Sequence, residues 1–475
     1  MRNFKKLLAN ERGVILVISL LIMVLLIGAG VGAMVSMQTD LRSSSNLKTG
    51  TQAFYIADAG INHARQRLQD SDSPNFDSIF TAANGTEIAS NSSFHGGAYT
   101  VTRQGSLSNP SRIKVLSVGT GPNNAKSQIE VWFRKDAGRP PKAVVVNGDL
   151  RISSNPSILG TGGGAHSNDD MQITGNPGVQ MVDGLTASNK PGGGGSLPEG
   201  MDISGSPCIG SSACSNPPGQ QPEANLIDTS EEKDAYEAAH SGAPEQAIPR
   251  INPADYAPKV AAMGSSGNHY ILHDDGTVTT GPGVTCGADG LCTGGTAVAV
   301  PAGWSFSGGT WSVSGNSTAN GVFYSEGKVD VFGSPGSSSS PWQATIIARD
   351  DIRISGSLHI KPYLPTSDDL KNHLLVTGND LEISGNIGAD YAAGAILVHQ
   401  QFRISSSPKI NGFIIAGDGQ PTWTGDPFPP SVFPSGVMIN EISGNPIITY
   451  NSDFGCNGPG CPPPTVAMLT WLEVF

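Results

Sequence analysis

A short motif recurs seven times in this chain and limits its fold more than any other feature. It reads hydrophobic residue (Asn440 in the last copy), polar residue, isoleucine, Ser or Thr, then Gly or Ser, and it stands in "GDLRISSNPSILG", "DMQITGNPGVQ", "GMDISGSPCIG", "DIRISGSLHIK", "DLEISGNIGA", "QFRISSSPKING" and "INEISGNPIIT". The central residues are Ile152, Ile173, Ile203, Ile354, Ile383, Ile404 and Ile442, spaced by 21 and 30 in a first block and by 29, 21 and 38 in a second. A constant motif at irregular intervals predicts a stacked unit with loops of variable length. Second apolar runs, "AVVV", "ATIIA", "LLVT", "AILV" and "GFIIAG", stand before several copies. Two or three short strands per turn, with Gly and Asn at corners, describe a right-handed parallel β-helix or a related solenoid whose stacked isoleucines fill the interior. Asn and Gly tolerate the left-handed backbone that sharp corners need. The alternative reading is a β-sandwich with coincidental "ISG" strands.

Between the blocks, "TSEEKDAYEAAHSG" to "NPADYAPKV" reads as helix or loop, and "NHYILHDDGTVTTG" as a hairpin turning at Asp-Gly. "GVFYSEGKVDVFGSPG" resumes the coils. The 475 residues include 61 Gly and 34 Pro and are only 14% charged, a turn-dense profile with little helix in it. A formal charge of −12 lacks the clustered Lys and Arg of a nucleic-acid surface. Six cysteines fall as three local pairs, Cys208/Cys214, Cys286/Cys292 and Cys456/Cys461. With no His beside them, such pairs suit short disulfide staples better than zinc sites, and staples imply an oxidising compartment outside the cytoplasmic membrane.

The front of the chain follows a different logic. From Val14 to Val35 there are 22 residues without a charge, about 33 Å of helix at ~1.5 Å per residue, enough to span a bilayer core. Arg2, Lys5, Lys6 and Arg12 precede this run against the single Glu11, a balance that holds that end in the cytoplasm. The core is too long for an ordinary cleaved signal, although "Val31-Gly32-Ala33" is a tolerable small-x-small site. Farther on, "TGTQAFYIADAGINHARQRL" places Phe54, Ala57, Ile61, Ala64 and Leu68 at spacings of 3, 4, 3 and 4, one apolar stripe on a helix. Ser/Gly softness around 43–50 separates the two halves, and Pro74 closes the segment.

"RGVILVISLLIMVLLIGAGVGAM" followed by "AFYIADAGINHARQRL" resembles the N-terminal domain of PilX-type type IV pilus assembly proteins, over roughly Arg12 to Leu68. These are minor pilins, and related prepilin-like proteins serve type II secretion. The resemblance implies that prepilin peptidase cuts between Gly13 and Val14 and that Val14 is N-methylated. It also implies an inner-membrane anchor from Val14 to Val35, other pilins and the pilus assembly platform as partners, and entry of the chain into a pilus or a priming complex. Major pilins carry a glutamate at the fifth mature position; here that position is Ile18. A buried carboxylate in lipid is expensive without its partner, so its loss suits a subunit with no neighbour above it, at a tip.

These readings give an α+β chain, mostly β. Its parts are a prepilin leader (1–13), a pilin-like helix with transmembrane and amphipathic halves (14–70) and a small pilin-like β domain (71–138). A solenoid (139–455) follows, with an inserted loop or helical segment at about 220–300, then a C-terminal tail (456–475) that docks on the body as a last coil or cap. "AYTVTRQG", "RIKVLSVGTG" and "SQIEVWFRKD" form a meander covering the outer half of the helix, and "DAGRPPKA" is a linker. Catalytic residues, metals and cofactors are not expected. The doublets Asp274/Asp275, Asp350/Asp351 and Asp368/Asp369 suit turns, since strand neighbours point to opposite faces. His359, His373 and His399 lack ligand spacing, and "PGGGGSLPEG" is a plain loop. Trp304, Trp311, Trp342 and Trp423 pack cores more readily than they stack on sugars. A pilus-assembly subunit, with a solenoid for interaction or adhesion, accounts for leader, helix and export together. A membrane-anchored polysaccharide-active enzyme or binding protein, and a minor pseudopilin of type II secretion, are the alternatives.

Overall fold

The computed structural model describes residues 11–69, 76–105, 112–136, 138–188, 197, 200–216, 220–263, 268–363, 370–385, 393–417, 439–456, 460–462 and 465–474. The chain divides into two compact units. One holds the residues up to Asp136 together with those from Thr465 onward, and the other holds what lies between.

The first unit is built on one helix, α1 (Glu11–Gln69). It runs unbroken through 43–50, where the sequence suggests a soft joint. Its hydroxyl side chains there bond back to the helix, as in Thr49 Oγ1 to Ser45 O (3.1 Å) and Asn46 O (3.1 Å), so no backbone group is drawn away. A short helix α2 (Phe76–Thr81) precedes the strands β1 (Glu87–Phe94), β2 (Gly97–Gln104), β3 (Arg112–Thr120) and β4 (Lys126–Asp136), all antiparallel in that order. Strand β3 alternates buried and half-buried positions along its length, which sets one face of the sheet against α1. The fifth strand is the C-terminal segment Thr465–Val474, paired antiparallel with β4 from Thr465↔Asp136 to Val474↔Gln128. The tail therefore does not cap the solenoid. Its alternating "TVAMLTWLEV" supplies a ten-residue ladder to an edge that β4 would otherwise leave open, while Cys456 and Cys461 stay with the second unit.

The second unit is a solenoid-like stack of parallel strands. Each motif copy forms a three-residue strand, inward at both ends and outward in the middle, as in Met171–Ile173, Leu381–Ile383 and Phe402–Ile404. All seven motif isoleucines are buried, six of them completely. A second sheet carries the longer apolar runs, among them Trp342–Ala348, His373–Thr377, Ala393–Val398 and Lys409–Ala416. Asp275-Gly276 turns the antiparallel hairpin of His269–Leu272 with Val278–Cys286.

All three cysteine pairs are disulfide-bonded within this unit: Cys208 to Cys214, Cys286 to Cys292 and Cys456 to Cys461. Cys214 returns from a short 3-10 turn (Ser212–Ser215) onto the strand Cys208–Ile209. Cys286 and Cys292 are direct partners across the antiparallel pair Val278–Cys286 and Cys292–Ala297, so that staple closes the loop between the two strands.

The order of stacking departs from the order of the sequence. Along the motif sheet, strands succeed one another as Met201–Ile203, Met171–Ile173, Leu150–Ile152, Asn440–Ile442, Phe402–Ile404, Leu381–Ile383 and Ile352–Ile354, and then continue through Lys328–Val331 to Thr310–Val313. The first coil of the first block thus lies beside the last coil of the second, in register at Leu150↔Asn440 and Ile152↔Ile442. The chain enters mid-stack and winds outward past Ile203, and after a returning segment described over 220–263 it winds back inward from the opposite end. The returning segment is held by Ala243 N donating to Ala187 O (2.9 Å) and Gln246 N to Asn168 Oδ1 (2.7 Å), and it contains α3 (Ser230–His240) and α4 (Ala257–Ala261). Helix α3, started by a capping box at Thr229 and Glu232, closes one end of the stack. Glu237 Oε1 accepts from Ile203 N (2.6 Å) and Ser241 Oγ from Met201 N (3.1 Å), covering edge donors that would template a foreign strand.

The outward middle positions form a ladder of alternating charge across the parallel sheet: Asp202, Gln172, Arg151, Glu441, Arg403, Glu382, Arg353 and Asp330. Arg403 Nε lies 3.1 Å from Glu441 Oε2, and Arg353 Nε 2.8 Å from Glu382 Oε2. Slipping one coil would set like charges together, so the row favours this register more than it adds stability.

Candidate functional site

Helix α1 carries two surfaces. From Ile15 to Val35 its large apolar side chains are all exposed, Ile18 at 53%, and the helix is long and apolar enough to cross a membrane. From Ala53 onward one side is covered. Ala57, Ile61, Ala64 and Leu68 are buried against the sheet together with Val101, Val115, Val131 and Phe133, while Phe54 is half-buried at the margin. Ala53, Ile56 and Gly60 are buried as well, a wider stripe than the 3,4 spacing of larger residues brings out. Helix and sheet meet closely: a Cβ on Gly119 would sit 2.3 Å from Ala53 O, and Ser117 Oγ donates to Ala57 O at 2.7 Å. Gly13 and Val14 lie in the first turn of α1, and residues 1–10 lie outside the described residues.

In the stack, polar groups are spent on joining coils. His399 Nδ1 lies 2.8 Å from Ile251 O, and His373 Nε2 lies 3.2 Å from both Tyr256 Oη and Cys461 Sγ, so both histidines tie neighbouring segments to a strand. His359 is half-buried, and its backbone oxygen accepts from Trp342 N at 2.8 Å. Asp274 and Asp275 are exposed in a turn, and Asp350 and Asp351 are half-buried at a corner, where Asp351 Oδ2 meets Lys328 Nζ at 2.7 Å. Asp368, Asp369, Trp423 and most of the glycine run 191–200 lie outside the described residues. Trp304, Trp311 and Trp342 are all buried; Trp311 Nε1 donates to His273 O (2.9 Å) and Trp342 Nε1 to Ala319 O (2.7 Å), which leaves no ring face for a sugar.

The six cysteines offer no thiol. Cys208, Cys214, Cys292, Cys456 and Cys461 are buried and Cys286 is half-buried, each with its sulfur committed to its staple. No histidine stands beside a cysteine pair along the sequence, yet the fold brings His373 to Cys461 across 88 positions of chain.

Two polar clusters went unmarked in the sequence. The carboxylates of Asp149, Asp169 and Asp170 are buried with oxygens within 4.8 Å of one another, hard donors of the kind calcium accepts. The doublet Asp169-Asp170 is the one signal that could have drawn notice. His373, Cys456 and Cys461 also converge, with the two sulfurs joined to each other as a disulfide. Nearby strands bury two bases. Lys142 Nζ donates to Thr186 Oγ1 (2.7 Å) and Asp183 O (2.8 Å), and burial brings its pKa down to about 8 against the opposing pull of Asp183. His166, between Thr186 Oγ1 (2.8 Å) and Asn168 Oδ1 (2.9 Å), is held down to about 4, again chiefly by burial. At the other end of the stack, the hydrogen bond to Glu326 raises the pKa of His273, whose Nδ1 lies 3.1 Å from Glu326 Oε2.

Comparison with known proteins bears on the helix. The family described as PilX N-terminal matches residues 12–62. No curated protein matches the sequence. Among solved structures, the competence-associated pilin ComZ from Thermus thermophilus is similar at 16% identity, over 90% of this chain and 97% of that one, with a TM-score of 0.24. The matched residues 12–62 take in the exposed apolar run and much of the helix half packed on the small antiparallel sheet, so this front segment of the chain is similar to the PilX N-terminal family.

Proposed function

We propose that this chain is a minor pilin-like subunit of type IV pilus assembly, anchored in the inner membrane by the first half of α1 and presenting its stacked coils, a parallel β-helix, outside the cytoplasm. The observation that carries the reading is the division of α1: an all-round apolar half, open to lipid or to neighbouring helices, followed by a half whose one stripe is buried on its own sheet. An anchor alone has no use for that second half, whereas a subunit packed into a fibre has. On this reading prepilin peptidase removes residues 1–13, Val14 becomes the methylated terminus, and Ile18 in place of a glutamate suits a position at the tip or in the priming complex, where the coils are free for interaction or adhesion. Partners are other pilins and the assembly platform. The role is structural: the three buried tryptophans speak against a sugar-processing surface, and the disulfides Cys208–Cys214, Cys286–Cys292 and Cys456–Cys461 fit an oxidising compartment.

Mass spectrometry of the exported protein tests the proposal. An N-methylated Val14 is expected in cells with prepilin peptidase and an uncut Met1 in cells without it. A mature chain beginning at Met34, or identical termini in both cell types, would end this reading. Loss of surface pili on deletion separates a pilus subunit from a secretion pseudopilin.

A further inference from the structure

One of the three staples differs from the other two. Cys456 and Cys461 have four residues between them, a spacing that metal-binding pairs share, whereas Cys208/Cys214 and Cys286/Cys292 have five. The pair also has a third donor beside it. His373, Cys456 and Cys461 are all buried, and the imidazole nitrogen and the two sulfurs lie within 4.8 Å of one another. Among the described residues, neither of the other staples is joined by a His, Asp or Glu in this way. The convergence is held by the surrounding chain. His373 stands in the strand His373–Thr377, and its backbone oxygen accepts from Thr345 Oγ1 (2.7 Å). Next to it, Asn372 Nδ2 donates to Gly455 O (2.8 Å), and Cys456 N donates to Gly138 O (2.9 Å). On the other side Gly460, at φ 71°, passes so near Tyr256 Oη that a Cβ there would stand 3.2 Å from it. That approach brings Cys461 Sγ to 3.2 Å from His373 Nε2. None of these contacts passes through the disulfide. Two sulfurs and an imidazole nitrogen are the donors that zinc takes and that calcium and magnesium do not. Two thiolates and a neutral imidazole around a dication carry no net charge, so a site as buried as this one is left with no uncompensated ion.

We infer that His373, Cys456 and Cys461 form a redox-gated site for a soft divalent cation such as zinc. Oxidised, it is a staple; reduced, it offers two sulfurs and one nitrogen, with Tyr256 Oη, 3.2 Å from His373 Nε2, beside the fourth position. A dithiol reductant opens the Cys456–Cys461 bond, leaving two thiols on the chain and a disulfide on the reductant. The cation then binds both sulfurs and Nε2 and displaces the two thiol protons. With Zn–S distances of about 2.3 Å in a tetrahedral site the sulfurs stand roughly 3.8 Å apart, a separation that side-chain rotation supplies while the Cα atoms stay 5.8 Å apart. This holds whether or not the chain enters a pilus. The test is metal titration of the full chain in detergent, before and after reduction by a phosphine, which itself takes up the oxygen of a water molecule. The reduced chain is expected to bind one Co2+ with a thiolate-to-metal charge-transfer band that Zn2+ abolishes, and the oxidised chain to show no such band. Equal binding in both states, or none after reduction, would overturn the inference. X-ray absorption at the zinc edge reads the ligands of the reduced parent chain without any substitution. Two sulfurs at about 2.3 Å and a nitrogen at about 2.0 Å are expected, and a shell of sulfur without nitrogen refutes the site. His373→Gln, checked for folding by circular dichroism, is expected to bind at least about ten-fold more weakly; undiminished binding in the folded variant refutes the assignment of His373.

Discussion

The corner following each motif isoleucine offers a sharp test of the stacking. At Gly356 a Cβ would stand 1.7 Å from Gly333 O on the neighbouring coil. Real Cβ contacts begin at about 3.0 Å, so Gly356→Ala has to open the gap by about 1.3 Å, a distance that no flexible side chain can absorb because the obstacle is backbone. Two hydrogen bonds cross this gap, Ser355 N to Val331 O (2.9 Å) and Gly356 N to Val331 O (3.2 Å), and such a displacement takes both beyond bonding range. Each buried group left unsatisfied costs roughly 1–3 kcal/mol, which sets the expected loss at about 4 kcal/mol. For a unit of this size that is on the order of 5–10 °C in the midpoint of its thermal transition, followed by far-UV circular dichroism. Position 406 occupies the same corner on another coil but holds serine at φ 66°. There the opposite change, Ser406→Gly, relieves a left-handed strain of about 1 kcal/mol and is expected to raise the midpoint slightly. If Gly356→Ala melts with the parent protein, the coils do not meet at this corner and the stacking described above is wrong.

Other expectations follow from the same contacts. Ala57→Leu forces a large side chain into the closest approach of α1 and β3 and is expected to destabilise the first unit by about 1–3 kcal/mol, read by thermal melting with the second unit unaffected. Glu237→Ala strips the acceptor from Ile203 N and uncovers the edge strand; a loss of about 1–3 kcal/mol is expected, together with concentration-dependent association in light scattering. For pH, His166 titrates at about 4 in the folded chain against 6.5 unfolded, so its neutral form stabilises the fold above pH 6.5 and that contribution is lost as pH falls toward 4. The loss is about 2 kcal/mol after allowance for solvent screening, and His166→Gln should flatten this part of the stability profile. His273 has the opposite sign. Its pKa is raised, so the stabilisation from Glu326 is complete below pH 6.5 and fades as pH rises through the raised value, an effect absent in Glu326→Gln.

How much of this was visible in the sequence depends on the reach of each contact. The motif strands were legible because inward and outward positions alternate within three residues, so Leu381, Glu382 and Ile383 declare their directions locally. The meander and the Asp275-Gly276 hairpin were legible for the same reason, and so were the staples, since Cys208 and Cys214, like Cys286 and Cys292, stand six positions apart. The order of the coils was not, because Ile152 pairs equally well with any strand of its own pattern and only long-range closure selects Ile442. The C-terminal strand was misplaced for a related reason: its alternation suited the edge of either sheet, and pairing with β4 is decided by topology. The carboxylates of Asp149, Asp169 and Asp170 come from two successive coils, a juxtaposition that no spacing along one coil encodes. At Trp304, Trp311 and Trp342 the sequence allowed both a buried and an exposed role, and burial in the stack decided between them.

The lateral bond between the two blocks has a further consequence, for biogenesis. Asn440 Nδ2 donates to Asp149 O across 291 positions of chain. A polypeptide synthesised N-terminus first exposes the flank of its earliest coil long before the covering strand has been made. Premature closure is impossible, and until residue 449 arrives the raw side of Ser157–Leu159 stays available to any passing strand. Slowing translation beyond residue 210 is therefore expected to lengthen the time for which this flank is open and to increase association of the half-finished stack, read by light scattering during synthesis.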